Sequence, residues 1–449
     1  MTLRYIIYGS ISFSIFDGLT EGYMHERLRK FFKVLGPGIL FASTCIGVSH
    51  LVQSTRAGAD YGFALFGAVI LANVLKYPFF EFAVRYTSAT GVSVIDGYAR
   101  KGRWIVWAYF LLSIPSMIIV TAAVTFVTSG LLGNLLGIEL PTNIWAIVLF
   151  IICVAILAIG KYKLLDNLLK LVGLVLLIST IVAFISALFH GPVAKAPDFV
   201  PKELYSITGI MFAIALMGWM PTAVDISTWT SLWSEAKTKA TGYRPSLKES
   251  LADFNFGYWV TAVLSTFFLT LGAYIIYGTG IELSNSSAGF AAQLINMFTT
   301  AIGKWSYTII ALAAFSTMFS TTITVVDGYG RSMNRTFKLM FKGSDEEDSR
   351  RTYIIWTVLI TMAAYLVIAQ FLNNLKNLVD LATILSFIIA PLAGLLNYVV
   401  IKSDEIKGEY KLPQWLNIMA IAGLVFLTGF TIIFFIVWFM PGWFEHTFL

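Results

Sequence analysis

The sequence is poor in charged residues. Asp, Glu, Lys and Arg make up 12% of its 449 residues, whereas a soluble domain averages about 25%. Hydrophobic residues reach 57% and aromatic residues 15%. So few charges cannot cover the surface of a protein surrounded by water, and this excludes a soluble globular protein. The composition predicts an all-α integral membrane protein.

Residues that build disulfides, metal clusters and catalytic centres are also scarce. The two cysteines, Cys45 and Cys153, fall in apolar segments, so neither a disulfide framework nor a thiolate metal cluster is expected. No nucleophile–base constellation, cofactor motif or nucleic-acid-binding motif occurs, so we expect neither an enzyme nor a nucleic-acid-binding protein. The short, broken apolar run of the first residues lacks a small-residue cleavage site, so no signal peptide is predicted.

Long apolar runs are what the sequence has in abundance. A run of about 20 apolar residues is long enough to cross a bilayer as a helix. About eleven such runs occur, at 36–58, 62–86, 104–135, 143–160, 164–190, 204–233, 253–278, 303–330, 353–372, 377–401 and 413–440. The sequence therefore predicts about eleven transmembrane helices in the lipid bilayer.

Lysine and arginine collect in alternate loops between these runs. The loop at 235–250 contains both residues and the loop at 402–411 contains three lysines, whereas the loop at 278–290 has neither residue. Because positively charged loops stay in the cytoplasm, the N-terminus is predicted inside and the C-terminus outside the inner (plasma) membrane. Residues 1–33 are then a cytoplasmic extension, and 413–449 form an additional last helix with an extracellular C-terminus.

Two of the predicted spans are interrupted at their centres. The first contains polar residues and a glycine at Gly47–His50, and the sixth contains Gly218 and Pro221. Proline removes a helical hydrogen bond, and glycine lowers the cost of leaving helical geometry. The two breaks fall in the first helix of each of two five-helix blocks, 34–190 and 203–401. Matching breaks of this kind are typical of inverted-repeat transporters with a binding site at the middle of the membrane.

Three segments resemble the Nramp family of metal transporters. The stretches GPGILFASTCIG and TRAGADYGF, at 36–47 and 55–63, resemble the first helix of that family. Met220 and Pro221 fall where the family has Met-Pro-His, and FSTTITVVDGYGR at 319–331 resembles its Ser/Thr-rich eighth helix. The resemblance runs from about Lys33 onward. It implies the LeuT-like fold, in which two inverted five-helix repeats contain broken helices 1 and 6.

The metal motif that defines the family is absent. Where the family has Asp-Pro-Gly-Asn, Gly47–His50 reads Gly-Val-Ser-His. The family's metal-ligating alanine carbonyl falls at Met217, its methionine is retained as Met220, and its histidine is replaced by Thr222. The acidic residues of its third helix and the buried basic residue of its ninth are missing too. This divergent pattern predicts neither the usual metal site nor the proton relay of the family.

A small anion fits the altered break better than a metal ion. Each half-helix that begins at a break directs free N–H groups and a positive dipole end at the cavity. Ser49, His50 and Thr222 can donate hydrogen bonds, although a lone membrane histidine can instead bond to a neighbouring helix. We therefore predict import of a small anion, with bicarbonate favoured. The predicted substrate site comprises Gly47, Val48, Ser49, His50, Met217, Met220, Pro221 and Thr222.

An anion that enters against an inside-negative potential needs a driving ion. Hydroxyl-bearing residues recur at spacings of three and four in the eighth predicted span, which places them on one helix face. In LeuT-like symporters, such hydroxyls and first-helix carbonyls hold sodium. We therefore favour sodium as the coupling ion and expect no other cofactor. The predicted coupling-ion site comprises Cys45, Val48, Thr317, Ser320, Thr321 and Thr324.

A divalent metal importer of the manganese or iron type is the alternative function. Its altered ligand set would comprise His50, Met217, Met220 and Asp225, although Asp225 can equally act as a helix cap. Gln53, Asp225 and Asn397 are expected near the site without contacting the substrate. The partners expected for either function are lipid and a small inorganic ion, with no obligate protein partner.

Other charged residues are predicted to form structural pairs. Arg56 and Asp60, and likewise Asp327 and Arg331, lie four residues apart and should pair on one helix face. Lys76 is predicted near the cytoplasmic end of the second span, where it would form a gate salt bridge or anchor the membrane interface.

Overall fold

The computed structural model describes residues 36–159, 162–341, 349–372 and 374–448, with side-chain surroundings given for these residues except 162–173 and 448. The predicted extension, residues 1–33, lies outside the described residues. The described chain is helical throughout its ordered elements and contains no strand. The predicted all-α membrane fold is confirmed.

Sixteen α-helices and three short helical turns of other kinds make up the described chain. The α-helices are α1 (Pro37–Cys45), α2 (Thr55–Tyr61), α3 (Phe66–Thr90), α4 (Val94–Lys101), α5 (Arg103–Leu136), α6 (Thr142–Ile159), α7 (Tyr162–His190), α8 (Ile207–Gly218), α9 (Ser227–Thr241), α10 (Leu247–Ile275), α11 (Ser287–Ile302), α12 (Tyr307–Phe341), α13 (Arg350–Gln370), α14 (Leu375–Ile401), α15 (Gln414–Phe439) and α16 (Pro441–Phe448). A π-helical turn, Ser49–Ser54, precedes α2.

Eight helices within the described residues are long and apolar enough to cross a membrane, namely α3, α5, α6, α10, α12, α13, α14 and α15. Helix α8 is shorter, and the described part of α7, Leu174–His190, is apolar as well. Each of the eleven predicted runs coincides with one helix or with a broken pair of helices. The number of membrane crossings, the repeat boundaries and the orientation stay predictions.

The first predicted span is broken, but at a narrower place than Gly47–His50. Helix α1 ends at Cys45, and the backbone leaves helical geometry at Ile46 and Gly47. The Gly47 carbonyl then accepts from the N–H groups of His50 (3.1 Å) and Leu51 (2.9 Å). Because this carbonyl restarts the helical hydrogen bonds, Ser49 and His50 lie within the resumed helix.

The sixth predicted span is two helices joined by a longer break. Helix α8 ends at Gly218 and α9 begins at Ser227, so the eight residues Trp219–Ile226 form the break. From the position of Pro221, the inner half-helix is expected to start near Thr222, but it starts later. Pro221 stands inside the break, where its missing N–H interrupts no helical ladder.

Helix α10 packs closely against both halves of the broken first helix. A Cβ atom on Gly38 of α1 would lie 2.1 Å from the Asp253 carbonyl oxygen, and one on Gly257 would lie 2.2 Å from that of Gly38. At the other end, a Cβ on Gly58 of α2 would lie 1.9 Å from the Leu269 carbonyl oxygen. Glycine is therefore required for both close approaches.

Replacing Gly58 by alanine should destabilise the protein by about 1–3 kcal/mol or more, because the backbones of α2 and α10 must move apart. The measurement is the thermal unfolding midpoint of the purified protein in detergent. Gly429→Ala in α15 is the matched control, since a Cβ there meets nothing within 4 Å. Equal midpoints for the two variants would contradict this packing.

Candidate functional site

The two breaks face one small cavity inside the helix bundle. The cavity volume is about 20 Å³, room for about one water molecule or a small ion. Its walls come from α1, the π-helical turn, α5, the second break, α9 and α12. The lining residues are Thr44, Val48, Ser49, Val120, Val124, Trp219, Thr222, Ala223, Ile226, Trp229, Thr321 and Val325.

Residues from both breaks line this wall. Val48 and Ser49 come from the first break, and Thr222, Ala223 and Ile226 from the second. No acceptor among the described residues is in hydrogen-bond contact with the backbone N–H groups of Thr222, Ala223 and Ile226. These three residues precede α9, so their N–H groups lie outside any helical ladder. The cavity lining thus includes residues with unpaired N–H groups and contains no carboxylate.

The carbonyl groups of the second break, by contrast, are bound by a lysine. Lys76 of α3 is fully buried, and its Nζ donates to the carbonyl oxygens of Met217 (3.1 Å), Gly218 (2.9 Å) and Thr222 (2.7 Å). The predicted gate or interface role of Lys76 is wrong. Lys76 lies mid-helix in the 25-residue α3, and a charge at that depth was the signal that could have found it.

His50 is buried on the α10 side of the first helix, away from the cavity lining. Its Nε2 lies 2.8 Å from the carbonyl oxygen of Thr261, so Nε2 carries the donated proton. Its Nδ1 lies 2.7 Å from the Ser49 hydroxyl, which also lies 2.7 Å from the Cys45 carbonyl oxygen. Both ring nitrogens of His50 thus have protein partners.

The four residues of the alternative metal site each have separate partners. Besides His50, the Met217 carbonyl accepts from Lys76, and the Met220 Sδ lies 3.7 Å from the Ser54 hydroxyl. Asp225 accepts from the hydroxyl groups of Ser116 (2.7 Å) and Tyr329 (3.3 Å), which hold it between α5 and α12. Within the described ranges, no group of three or more His, Cys, Asp and Glu residues is placed to hold a metal ion.

Hydroxyl groups of α12 meet carbonyl groups of α1, as the coupling-ion prediction requires. The Thr321 hydroxyl lies 3.0 Å from the Ser43 carbonyl oxygen, 3.4 Å from that of Ile46 and 3.1 Å from that of Thr317. The Ser320 hydroxyl lies 2.8 Å from that of Ser43. Oxygen atoms from two helices therefore cluster beside the first break.

Three other residues of the predicted coupling-ion site are placed differently. The Cys45 carbonyl accepts from Ser49, Val48 lines the cavity, and the Thr324 hydroxyl bonds to carbonyls of its own helix at 2.9 and 3.0 Å. The α1 carbonyls that face α12 are those of Ser43 and Ile46. They could not be predicted from the sequence, because every residue type carries a backbone carbonyl.

The predicted pair between Arg56 and Asp60 is wrong. Arg56 binds both carboxylate oxygens of Asp380 on α14, at 2.6 and 3.0 Å, and Asp60 instead binds Lys202 at 2.7 Å. A bidentate guanidinium–carboxylate bond is stronger than a single contact along one helix. Gln53 supports the pair with a 3.0 Å bond to Asp380. These bonds connect the first broken helix to α14 beyond the cavity.

Two further predictions concern the other end of the bundle. The predicted pair of Asp327 and Arg331 is present, at 2.7 Å. Asn397 lies outside the cavity lining, where its Nδ2 donates to the Phe79 carbonyl (2.9 Å) and the Ser227 hydroxyl (2.7 Å). Asn397 thus holds α3 and the start of α9 together.

Two broken helices around a central cavity in an all-helical membrane bundle define a transporter of the LeuT-like class. The chain matches the family of Natural resistance-associated macrophage protein-like (Nramp) proteins over residues 38–437, and it belongs to this family. It is therefore a multi-pass membrane transporter. The predicted family and fold are confirmed.

Known relatives cover nearly the whole chain. An uncharacterized protein of Pasteurella multocida is 38% identical over 419 residues, covering 93% of this chain and 95% of that protein. The divalent metal cation transporter MntH of Listeria welshimeri is 24% identical over 421 residues, covering 89% of this chain and 88% of that protein.

Solved structures share the fold at low sequence identity. A mutant of the Eremococcus coleocola manganese transporter superposes with a TM-score of 0.69 at 12% identity, covering 93% of this chain and 88% of that one. MhsT in complex with L-phenylalanine gives a TM-score of 0.57 at 12% identity, covering 89% of this chain and 97% of that one.

Breaking the bond between Arg56 and Asp380 should open the cavity from the side where α14 begins. Cys45, which is buried at the first break, is a native reporter of that opening. In a Cys153→Ser background, Asp380→Asn should raise the rate at which a membrane-impermeant thiol reagent modifies Cys45 by about tenfold, since a charge-assisted hydrogen bond contributes roughly 1.5 kcal/mol or more.

Asp327→Asn, which removes the partner of Arg331 on α12, is the matched control. It should leave the rate of Cys45 modification from that side unchanged. Equal rates for Asp380→Asn and the parent protein would show that this ion pair does not close the cavity.

Proposed function

We propose that this Nramp-family transporter imports a small anion, with bicarbonate favoured, and does not carry transition metals by the usual site of its family. The observation that carries the proposal is a cavity lining that contains residues with unpaired backbone N–H groups and no carboxylate. The N–H groups of Thr222, Ala223 and Ile226, three residues of that lining, have no acceptor among the described residues. An oxyanion supplies several acceptor oxygens at once.

The chemistry of the cavity lining favours negative over positive cargo. Transfer of a divalent ion out of water is costly unless anionic or strongly donating ligands replace its hydration shell. No Asp or Glu lines the cavity. The Met217 carbonyl, at the position that the family resemblance gives to the metal, already accepts a hydrogen bond from Lys76. A metal ion at that carbonyl would meet a positive charge.

The size of the cavity supports a small substrate. At about 20 Å³ it has room for one small ion but not for an amino acid. The Thr222 side chain stands in its wall, so a hydroxyl group from the second break complements the backbone donors. Bicarbonate is the small, planar oxyanion that this combination suits.

Sodium is the coupling ion of the proposal. The oxygens of Ser43, Ile46, Thr317, Ser320 and Thr321 come from two helices and cluster at the first break. A hard monovalent cation is well matched by neutral carbonyl and hydroxyl oxygens. Because α1 ends at this cluster, sodium bound there would stabilise the geometry of the break that shapes the anion site. The membrane is the plasma membrane, with the N-terminus inside.

The transport proposal is tested with purified protein in liposomes. Radiolabelled bicarbonate should enter faster than in protein-free liposomes, and an inward sodium gradient should increase its accumulation. A tenfold gradient can drive roughly tenfold accumulation at one sodium per anion, because both correspond to about 1.4 kcal/mol.

Manganese uptake is measured in the same liposomes, because relatives at 24% identity carry the name of divalent metal cation transporters. Manganese uptake without bicarbonate uptake would overturn the proposal in favour of the alternative metal function. If bicarbonate uptake does not depend on the sodium gradient, only the proposal of sodium as the coupling ion is overturned.

Thr321→Val should raise the sodium concentration needed for half-maximal uptake by about tenfold, since loss of a hydroxyl ligand to a cation costs roughly 1.5 kcal/mol. Valine keeps the shape of threonine. Thr324→Val is the matched control, because its hydroxyl bonds only within its own helix. An equal sodium requirement in the two variants would remove Thr321 from the sodium site.

A further inference from the structure

The lysine at the second break is a charged group deep inside a membrane protein. Lys76 is fully buried, and its α3 backbone is helical on both sides of it. Ionisable residues at such a depth are costly and mark functional positions. The other transmembrane features described above do not account for its presence.

The contacts of Nζ match the charged form of the lysine. Three carbonyl oxygens, of Met217, Gly218 and Thr222, lie within 3.1 Å of Nζ. A carbonyl can only accept, so three contacts need three N–H donors. An ammonium group has three, whereas a neutral amine has two and would leave one contact unmade. The charged form therefore matches the geometry.

The carbonyls of Met217 and Gly218 also belong to the C-terminal end of α8. Carbonyl groups at a helix C-terminus lack partners within the helix and carry the negative end of its dipole. Together with the Thr222 carbonyl they form a set of oxygens that suits a cation. The ammonium of Lys76 is that cation, supplied by the protein itself.

No carboxylate forms an ion pair with Lys76 among the described residues. Asp225 lies close enough to interact with it electrostatically, but the contacts of its carboxylate are with Ser116 and Tyr329. The direct contacts of the positive charge are therefore with backbone carbonyl dipoles. Thr222 separates it from the cavity, because its carbonyl binds Nζ while the residue also lines the cavity.

We propose that Lys76 is the specificity-determining residue of this transporter, a built-in cation that fills the carbonyl set of the second break. While it is there, a metal ion cannot use those carbonyls. Its charge behind the cavity wall favours an anion as cargo, a step that rests on the proposed function. A residue of α3, outside the two broken helices, thus determines which chemical class of substrate the site takes.

Removing the ammonium should expose the carbonyl set to soluble cations. In Lys76→Ala, methylammonium reproduces the head of the lost side chain and should raise the thermal unfolding midpoint in a saturable way. The wild-type protein should not respond. Lys239→Ala is the matched control, because Lys239 is an exposed lysine bonded to Glu235 on α9, and it should behave as wild type.

The same titration is made with manganese alone and with Lys76→Gln, whose shorter neutral side chain keeps part of the packing if the alanine variant does not fold. Stabilisation of either Lys76 variant by methylammonium or manganese, absent from wild type and Lys239→Ala, supports the proposal. If neither cation stabilises any Lys76 variant, or if both stabilise the wild type equally, the proposal is overturned.

Anion selectivity is read separately, by uptake. Lys76→Gln should lower bicarbonate uptake by about tenfold or more, since charge-assisted hydrogen bonds are lost, whereas Lys76→Arg, which keeps the charge, should retain more of it. If the wild type takes up bicarbonate and Lys76→Gln takes it up equally well, the role of Lys76 is overturned and the proposed function stands. Absence of uptake in the wild type overturns the proposed function, while the cation titrations still decide whether Lys76 fills the carbonyl set.

Discussion

Backbone groups released at two helix breaks are the constraint on which this structure depends. Inside a membrane no water replaces a lost helical hydrogen bond, so every freed group needs a partner from the protein or from its cargo. At the second break the protein satisfies the carbonyl side itself, because Lys76 binds the carbonyls that end α8. At the first break the Thr321 hydroxyl contacts carbonyls near the end of α1, the oxygens that the proposed function gives to sodium. Under the same proposal, the unpaired N–H groups of the second break remain for an anion.

Under the proposed function, one scaffold serves cargoes of opposite charge. The fold is that of proteins named as manganese transporters, yet of the side chains that the family resemblance gives to the metal site, only the methionine is retained, as Met220. A glycine stands at Gly47, where a Cβ would lie 2.9 Å from the Thr321 side chain. Close contact between α1 and α12 thus takes the space that a carboxylate side chain would need. The broken helix is present in this chain, whereas the Asp-Pro-Gly-Asn motif of the family is not.

Much of the fold could be predicted from the sequence, because apolar length and broken helices leave a local signal. Gly218 and Pro221 marked the second break, and the polar residues after Cys45 marked the first. The first and last residues of each break could not be predicted with the same accuracy. Whether Ser49 and His50 are helical depends on which carbonyl restarts the hydrogen bonds, and that carbonyl belongs to Gly47.

Contacts between distant segments account for the remaining differences. Arg56 looked paired with Asp60 because both lie on one helix face, but Asp380, far along the chain, offers two oxygens to the same guanidinium. Lys76 looked like a residue of the membrane interface because its partners are backbone carbonyls, which any residue type could supply. Side chains that bind backbone groups are the part of a site that is hardest to predict from residue identity.

Helix α10 contacts the broken first helix at three heights, through Gly257 beside Gly38, through Thr261 beside His50, and through Leu269 beside Gly58. These contacts lie on both sides of the unwound residues Ile46 and Gly47. Both halves of the first helix consequently pack against one continuous helix, although their own backbone is interrupted. Any displacement of one half of the first helix would therefore act on these contacts, and α10 mechanically couples two half-helices that their own backbone does not join.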